Sequence, residues 1–389
     1  MNFRYYIPTK ILFGNGVLDS LHKEKLPGKK ALIVMTSGQS AIKYGYLDRL
    51  QKQLDLSGVK YAIYNNITTN PTRDQVMEAS KLAAENMCDF VIGLGGGSCL
   101  DAAKAIAIVL ANGGDLWDYF HGGSAKAQPV KKTMLPVVAI TTTAGTGSET
   151  DQWMVISNPE KNEKIGFGYS RSFPTLAVVD PTLMLSVPPI LTAYHGLDAL
   201  FHSTEGYISS KANPISDLFA LKSIGLIGKS LVKAVREGND LEARGDVALA
   251  STLSGMLLAI TSLTAEHAME DGLSGLHPEL LHGAGLVLIS EAYYSYIAEL
   301  GHSNERMVEM AKALGMVDAK EPMDFIKALV DLLKACGVYG IKMSDFGITK
   351  EEFPTVVSLA KQNASSEFYA EKKVLTDEEC IRILERSYL

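Results

Sequence analysis

Phe90-Val-Ile-Gly-Leu-Gly-Gly-Gly-Ser-Cys-Leu-Asp-Ala-Ala-Lys104 starts as an apolar run, passes through three consecutive glycines and continues with helical spacing. Strand, tight turn and helix in that order form the building unit of a parallel α/β layer. Ser98 is placed to cap the helix, and Asp101 three residues later completes a Ser-x-x-acid capping pattern. Glycines at 95, 96 and 97 let backbone N–H groups approach an anion, and a helix start adds its dipole, so the segment reads as a phosphate cradle. It is not the dinucleotide fingerprint G-x-G-x-x-G. After Gly93 and Gly95 the sixth position is Ser98, and the turn follows a later strand rather than the first.

Outward from this stretch, apolar runs at Ala31 to Met35, Tyr61 to Tyr64, Pro136 to Thr141 and Leu176 to Val179 alternate with helical patterns. The helical patterns cover Ser40 to Leu54, Arg73 to Met87 and Cys99 to Leu110. After Asp180-Pro-Thr-Leu-Met-Leu-Ser-Val-Pro-Pro189 the texture changes. Ile215 to Val235, Val247 to Ile260, Asn304 to Leu314 and Asp324 to Cys336 read as helix, with no convincing strand. The expected architecture is an α/β Rossmann-like N-terminal domain over residues 1–185 and an all-α C-terminal domain over residues 186–389.

Thr141-Thr-Thr-Ala-Gly-Thr-Gly-Ser-Glu149 is a second glycine-rich turn behind an apolar strand. Two such loops at the carboxyl ends of parallel strands favour a dinucleotide over a lone phosphate. The loop Thr36-Ser-Gly-Gln-Ser40 carries no acid to bond a ribose 2′-hydroxyl, whereas Thr36, Ser37, Ser40 and nearby Lys43 are suited to a 2′-phosphate. The expectation is NADP(H) in preference to NAD(H), with Ser37, Gly38 and Ser40 at that end of the cofactor.

In the second half, Gly196-Leu-Asp-Ala-Leu-Phe-His202 sets Asp198 and His202 four residues apart, on one helical face about 6 Å from each other. Further on, Glu266 to Gly285 holds His267, His277 and His282, three of the chain's eight histidines. A carboxylate with imidazoles is a hard-to-borderline N/O set, suited to Fe(II), Zn or Mn.

The 389-residue chain is 47% hydrophobic and 21% charged, as in globular proteins. Its net charge of −7 argues against nucleic acid or an anionic membrane as partner. The N-terminal segment has no signal-peptide core, and no apolar run reaches about 18 residues, so a cytoplasmic location is expected. Cys88, Cys99, Cys336 and Cys380 have no C-x-x-C spacing and read as buried thiols.

Taken together, the chain resembles the iron-containing alcohol dehydrogenases, a metal-activated family that shares its fold with glycerol dehydrogenase and dehydroquinate synthase. The matching positions are Phe13-Gly14, Asn70-Pro71-Thr72, Gly95 to Ser98 with Asp101 and Lys104, Thr142 to Glu149, Asp180-Pro181, Gly196 to His202 with Glu205, and His282-Gly283. The resemblance implies Asp198, His202, His267 and His282 as ligands of Fe(II), with Zn as the alternative metal. It implies cofactor contacts at Asn70, Gly96, Gly97, Ser98, Asp101, Thr142, Thr143, Thr146 and Lys164. It also implies a homodimer, a short-chain alcohol or aldehyde substrate, and the branch typified by NADPH-dependent butanol dehydrogenase. His277 reads as a loop residue near the site, and His195 as structural.

One departure stands out. Four residues after His267, where many relatives carry a second histidine near the nicotinamide, this chain has Asp271. A carboxylate there can accept or relay a proton, which makes Asp271 the candidate catalytic group. The nearest alternatives are a zinc polyol dehydrogenase, a lyase of the dehydroquinate synthase type, and an NADP-binding protein without catalysis. The Thr142 to Glu149 segment and the Asp198/His202 pair favour the alcohol dehydrogenase branch.

Overall fold

The computed structural model describes residues 2–161 and 163–388. Two compact units divide the chain: one spans Tyr6–Ser186, and the other takes Val187 onward with the segment ahead of Tyr6.

The first unit is built on a six-stranded sheet. Its order is β1 (Lys10–Phe13), β8 (Leu176–Val179), β5 (Val137–Thr141), β4 (Phe90–Gly95), β2 (Lys30–Thr36), β3 (Lys60–Ile67), and all neighbours run parallel. A separate antiparallel pair joins β6 (Met154–Asn158) to β7 (Glu163–Phe167). The helices are α1 (Ser40–Lys43), α2 (Tyr46–Leu56), α3 (Arg73–Glu85) and α4 (Gly97–Asn112).

β4 and β5 are buried at every position, which is why they read as unbroken apolar runs. Alternate residues supply two cores: Leu32, Val34 and Val91 join the α3 and α4 side, while Ala31, Ile33, Phe90 and Ile92 join the α2 side. α3 opens on a full capping box, with Thr72 accepting from Gln75 N–H and Gln75 reaching back to Thr72 N–H.

Three local expectations need correction. The pattern from Ser40 to Leu54 is two helices, because Gly45 between them takes a left-handed φ of 72°. Ser98 is not the cap of α4. The cap residue is Gly96, in extended conformation and without a side-chain bond, and the helix starts at Gly97. A Cβ at position 97 would lie 2.6 Å from Thr146 Cγ2, so glycine lets the 142–146 loop lie against the first turn and the chain curls before reaching Ser98. β1, β6 and β7 have no counterpart in the sequence reading. β1 is a short edge strand with no buried residue, and its apolar run, Ile11 to Phe13, is shorter than those of the interior strands.

Asp101, freed from capping, accepts from Ser148 Oγ (2.6 Å) and Val155 N–H (2.9 Å). One turn on, the buried Lys104 ammonium donates to Ser148 Oγ (2.8 Å), Asp151 Oδ1 (2.9 Å) and the Trp153 carbonyl (2.6 Å), using all three of its protons. The 148–155 segment is thereby clamped to α4.

The second unit is helical, with no strand among its described residues. Its helices are α5 (Pro189–Ile208), α6 (Pro214–Arg236), α7 (Leu241–Leu258), α8 (Ala265–Leu276), α9 (His282–Leu300), α10 (Asn304–Ala313), α11 (Met323–Ala335), α12 (Phe353–Asn363), α13 (Ser365–Phe368) and α14 (Asp377–Ser387). α5 is buried continuously from Gly196 to Ile208, the mark of a central helix, and α6, α7 and α9 pack on it. No helix of the described residues is long and apolar enough to cross a membrane.

The Lys104–Asp151 pair gives a stability test. Burial pushes the Asp151 carboxyl up to about 6 although Lys104 opposes the shift. Lys104→Met strands that acid, and we expect a loss of about 3–5 kcal/mol in chemical denaturation. Replacing Asp151 by Leu in the same chain should recover most of it; an unchanged midpoint for Lys104→Met would contradict the clamp.

Candidate functional site

Three elements of the helical unit bring four side chains to one point. α5 carries Asp198 and His202, α8 carries His267 as its third residue, and α9 starts at His282. The Nε2 atoms of His202, His267 and His282 lie 3.4, 3.5 and 3.7 Å from a single oxygen, Asp198 Oδ1. The His202 and His267 rings stack with centroids 4.6 Å apart.

Position 283 controls how close α9 comes. A Cβ there would sit 2.6 Å from the Tyr194 carbonyl oxygen on α5, so only glycine lets the helix start, and His282 with it, approach Asp198.

The arrangement fits a divalent cation on two grounds. Asp198 Oδ1 and His267 Nε2 are buried and make no hydrogen bond, a cost of about 1–3 kcal/mol each unless something else satisfies them. Ligand atoms of Asp198, His267 and His282 all lie within 4.8 Å of one another, and His202 Nε2 stands 3.4 Å from Asp198 Oδ1, close to the spacing of two donors about 2.1 Å from a tetrahedral ion.

Behind the imidazoles stand two buried carboxylates. His267 Nδ1 is hydrogen-bonded to Glu205 Oε1, and His282 Nδ1 to Glu270 Oε2. An ionised carboxylate only accepts, so each Nδ1 carries the proton, and the Nε2 lone pair is left facing the Asp198 side. Glu205 also accepts from Thr264 N–H (2.8 Å) and Thr264 Oγ1 (2.7 Å).

Electrostatics follows from these contacts. Burial opposes charge on Asp198, but the three imidazoles outweigh it and hold the carboxyl below its ordinary range. Burial pushes His202 down to about 4. Burial also disfavours charge on His267, yet Glu205 and Asp198 together raise it well above an ordinary imidazole. The position therefore demands positive charge, from a proton or from a cation that displaces it.

Asp271 lies on α8 one turn beyond His267, with a carboxylate oxygen within 4.8 Å of ligand atoms of Glu270 and His282. It borders the cluster without joining the convergence on Asp198. His277 ends α8 and its ring is engaged by Glu352 (3.3 Å) and Glu279 (3.8 Å). Burial pushes His195 below an ordinary imidazole, against the pull of Asp198. Glu270 escaped the sequence reading. Its signal was only an acid on the same helix as His267, and its role comes from a contact twelve residues along the chain.

The other candidate residues lie on the first unit. From β2 the chain moves to β3 on one side and β4 on the other, so the strand order reverses between β2 and β4, the position where open α/β sheets bind ligands. Ser37, Gly38 and Ser40 follow β2, Asn70 follows β3, Gly96, Gly97 and Ser98 follow β4, and Thr142, Thr143 and Thr146 follow β5. The sheet thus brings ten of the twelve candidates to one edge. Asp101 has both carboxylate oxygens taken by Ser148 and Val155, and Lys164 stands on β7, where its charge acts on Asp101.

Residues 8–181 match the family model described as iron-containing alcohol dehydrogenase, and residues 192–388 match that of the Fe-containing alcohol dehydrogenase family, C-terminal. The chain belongs to the iron-containing alcohol dehydrogenase family. It is 35% identical to alcohol dehydrogenase 4 of Saccharomyces cerevisiae over 99% of this chain and 98% of that protein. It is 34% identical to 1,3-propanediol dehydrogenase of Klebsiella pneumoniae, covering 94% of each. A solved structure of an archaeal halo-thermophilic Red Sea brine pool alcohol dehydrogenase superposes with a TM-score of 0.94 at 32% identity, covering 100% of this chain and 99% of that one. The protein is accordingly an alcohol dehydrogenase, an NAD(P)-dependent oxidoreductase of a metal-binding family with an Asp/His site.

The carboxylates behind the imidazoles predict metal affinities. Glu270→Gln should weaken Zn(II) binding by about 10–100-fold in a chelator competition. Gly283→Ala, which drives α9 off α5, should weaken it at least as much. Wild-type affinity in both would show that the placement of His282 does not matter to the metal.

Proposed function

We propose that this alcohol dehydrogenase transfers a hydride reversibly between NADP(H) and a short-chain primary alcohol or aldehyde, in the manner of a butanol dehydrogenase. Asp198, His202, His267 and His282 hold Fe(II), or Zn(II) in its place. The convergence of three imidazole nitrogens on the one unsatisfied Asp198 oxygen carries this reading. A divalent cation supplies Lewis acidity towards an alcohol or carbonyl oxygen. Three neutral imidazoles and one carboxylate cancel a single unit of its charge. Glu205 and Glu270 fix the ring orientations of His267 and His282 through Nδ1.

Proton traffic falls to Asp271, whose partly exposed carboxylate stands beside the cluster. Gly96, Gly97 and Ser98 receive the cofactor's phosphates at the start of α4, with Thr142, Thr143, Thr146 and Asn70 on the neighbouring loops. Support for NADP(H) comes from the 36–40 loop, which offers exposed hydroxyls at Ser37 and Ser40 and no acid, with an exposed Lys43 three residues on. Four buried thiols without a disulfide fit a cytoplasmic enzyme, and the reading extends to a homodimer, which sedimentation would check.

The test is NADPH and NADH oxidation with butyraldehyde by metal-stripped protein reloaded anaerobically with Fe(II) or Zn(II). We expect turnover only with metal, and faster with NADPH. Equal or better turnover with NADH would overturn the cofactor preference and leave the chemistry standing. His267→Ala should abolish turnover while dinucleotide affinity stays within about twofold, as for an independent site. Normal turnover of that variant in metal-free buffer would refute the ligand set.

Asp271→Asn should lower kcat by about 100-fold with KM little changed, the scale of a lost acid–base group. Asp271→His should restore most of it. A kcat within twofold of wild type for Asp271→Asn would take the proton step away from this residue.

A further inference from the structure

A chain of hydrogen bonds continues inward from Glu205. Thr264 Oγ1, which donates to Glu205, lies 2.7 Å from the Tyr293 hydroxyl, and that hydroxyl lies 2.7 Å from Glu371 Oε1. Ala265 N–H also donates to Glu371 Oε1 at 3.1 Å. Glu205, Thr264 and Tyr293 are fully buried and Glu371 is 7% exposed. Four elements meet here, since Glu205 belongs to α5, Thr264 precedes α8, Tyr293 belongs to α9 and Glu371 follows α13.

At one end of the chain Thr264 N–H and Thr264 Oγ1 both donate to Glu205 Oε2. At the other end the Tyr293 hydroxyl and Ala265 N–H both donate to Glu371 Oε1. The Thr264 and Tyr293 hydroxyls, 2.7 Å apart, join the two ends, so Glu371 fixes where the Tyr293 oxygen stands and, through it, where the Thr264 oxygen stands.

Resting on the ligand assignment proposed above, we propose that Glu371 is a positioning residue for His267: acting through Tyr293 and Thr264, it locks the Glu205 carboxylate and so the ring of the metal ligand. Without Glu371 the Tyr293 hydroxyl turns its proton elsewhere and Thr264 is free to leave the rotamer that bonds Glu205.

The experiment is a Zn(II) competition against a chromophoric chelator on the full chain, with circular dichroism to verify folding. Glu371→Leu and Tyr293→Phe are each expected to weaken binding about tenfold, the lower end for outer-sphere partners. Glu371→Gln keeps an oxygen that accepts from Tyr293 and Ala265, and should bind within about twofold of wild type. In a Glu205→Gln background the effects of Glu371→Leu and Tyr293→Phe should vanish, because they act through Glu205. Should leucine at 371 misfold, Tyr293→Phe removes one oxygen, keeps the ring and carries the test alone.

Wild-type affinity in Glu371→Leu or Tyr293→Phe, no rescue by glutamine, or the same loss in the Glu205→Gln background would each overturn the positioning role. A wild-type protein that binds no Zn(II), or His267→Ala binding as tightly as wild type, would instead sink the ligand assignment.

Discussion

The buried oxygen of Asp198 organises the helical unit. A carboxylate with a few per cent of its surface exposed is costly unless charge and hydrogen bonds compensate it, and here the compensation comes from imidazoles on three separate helices. α5 supplies one by helical spacing alone. The other two arrive only if α8 and the start of α9 approach α5, and the absent side chain at Gly283 permits that approach. Packing and the proposed metal chemistry therefore make the same demand on the fold.

The sheet unit solves a different problem. Its central strands are buried on both faces, which leaves only the loops at strand ends for a polar ligand. The strand order reverses between β2 and β4, and the loops at that end are short, glycine-rich and hydroxylated. Asp101 and Lys104, which sit in the same motif, take another role. They tie the 148–155 segment to α4, so part of what marks the motif in the sequence is structural.

What could be read from the sequence follows from range. β2, β3, β4, β5 and β8 each leave a run of apolar residues, a local signal. The edge strand β1 has only Ile11 to Phe13, and the Trp153 to Ile156 run at β6 follows a loop rather than a helical pattern. Ser98 looked like a cap because residue identity suggested it, and the contact that moved the helix start comes from Thr146, nearly fifty residues on. At the proposed metal site Asp198 and His202 were legible because one helix sets their spacing. Residue pattern left His267, His277 and His282 equivalent, and only the resemblance separated them. Three-dimensional contact explains the separation, since the ring of His277 is turned to Glu352 and Glu279. Glu270 and Glu371 have no pattern at all; they matter through what they touch.

The carboxylates of this unit ionise according to what faces them. Asp198 faces imidazoles, and Glu205 faces an imidazole and the Thr264 donors; both are held below the ordinary range against the cost of burial. Glu266 on α8 is as deeply buried but faces Glu205, and its carboxyl is raised well above the usual range. At Glu371 burial prevails over the Tyr293 hydroxyl and the Ala265 amide, which favour the anion. Placing full negative charge on all four would concentrate repulsion in a low-dielectric interior. The arrangement favours anions beside the imidazoles and disfavours them one tier out, at Glu266 and Glu371.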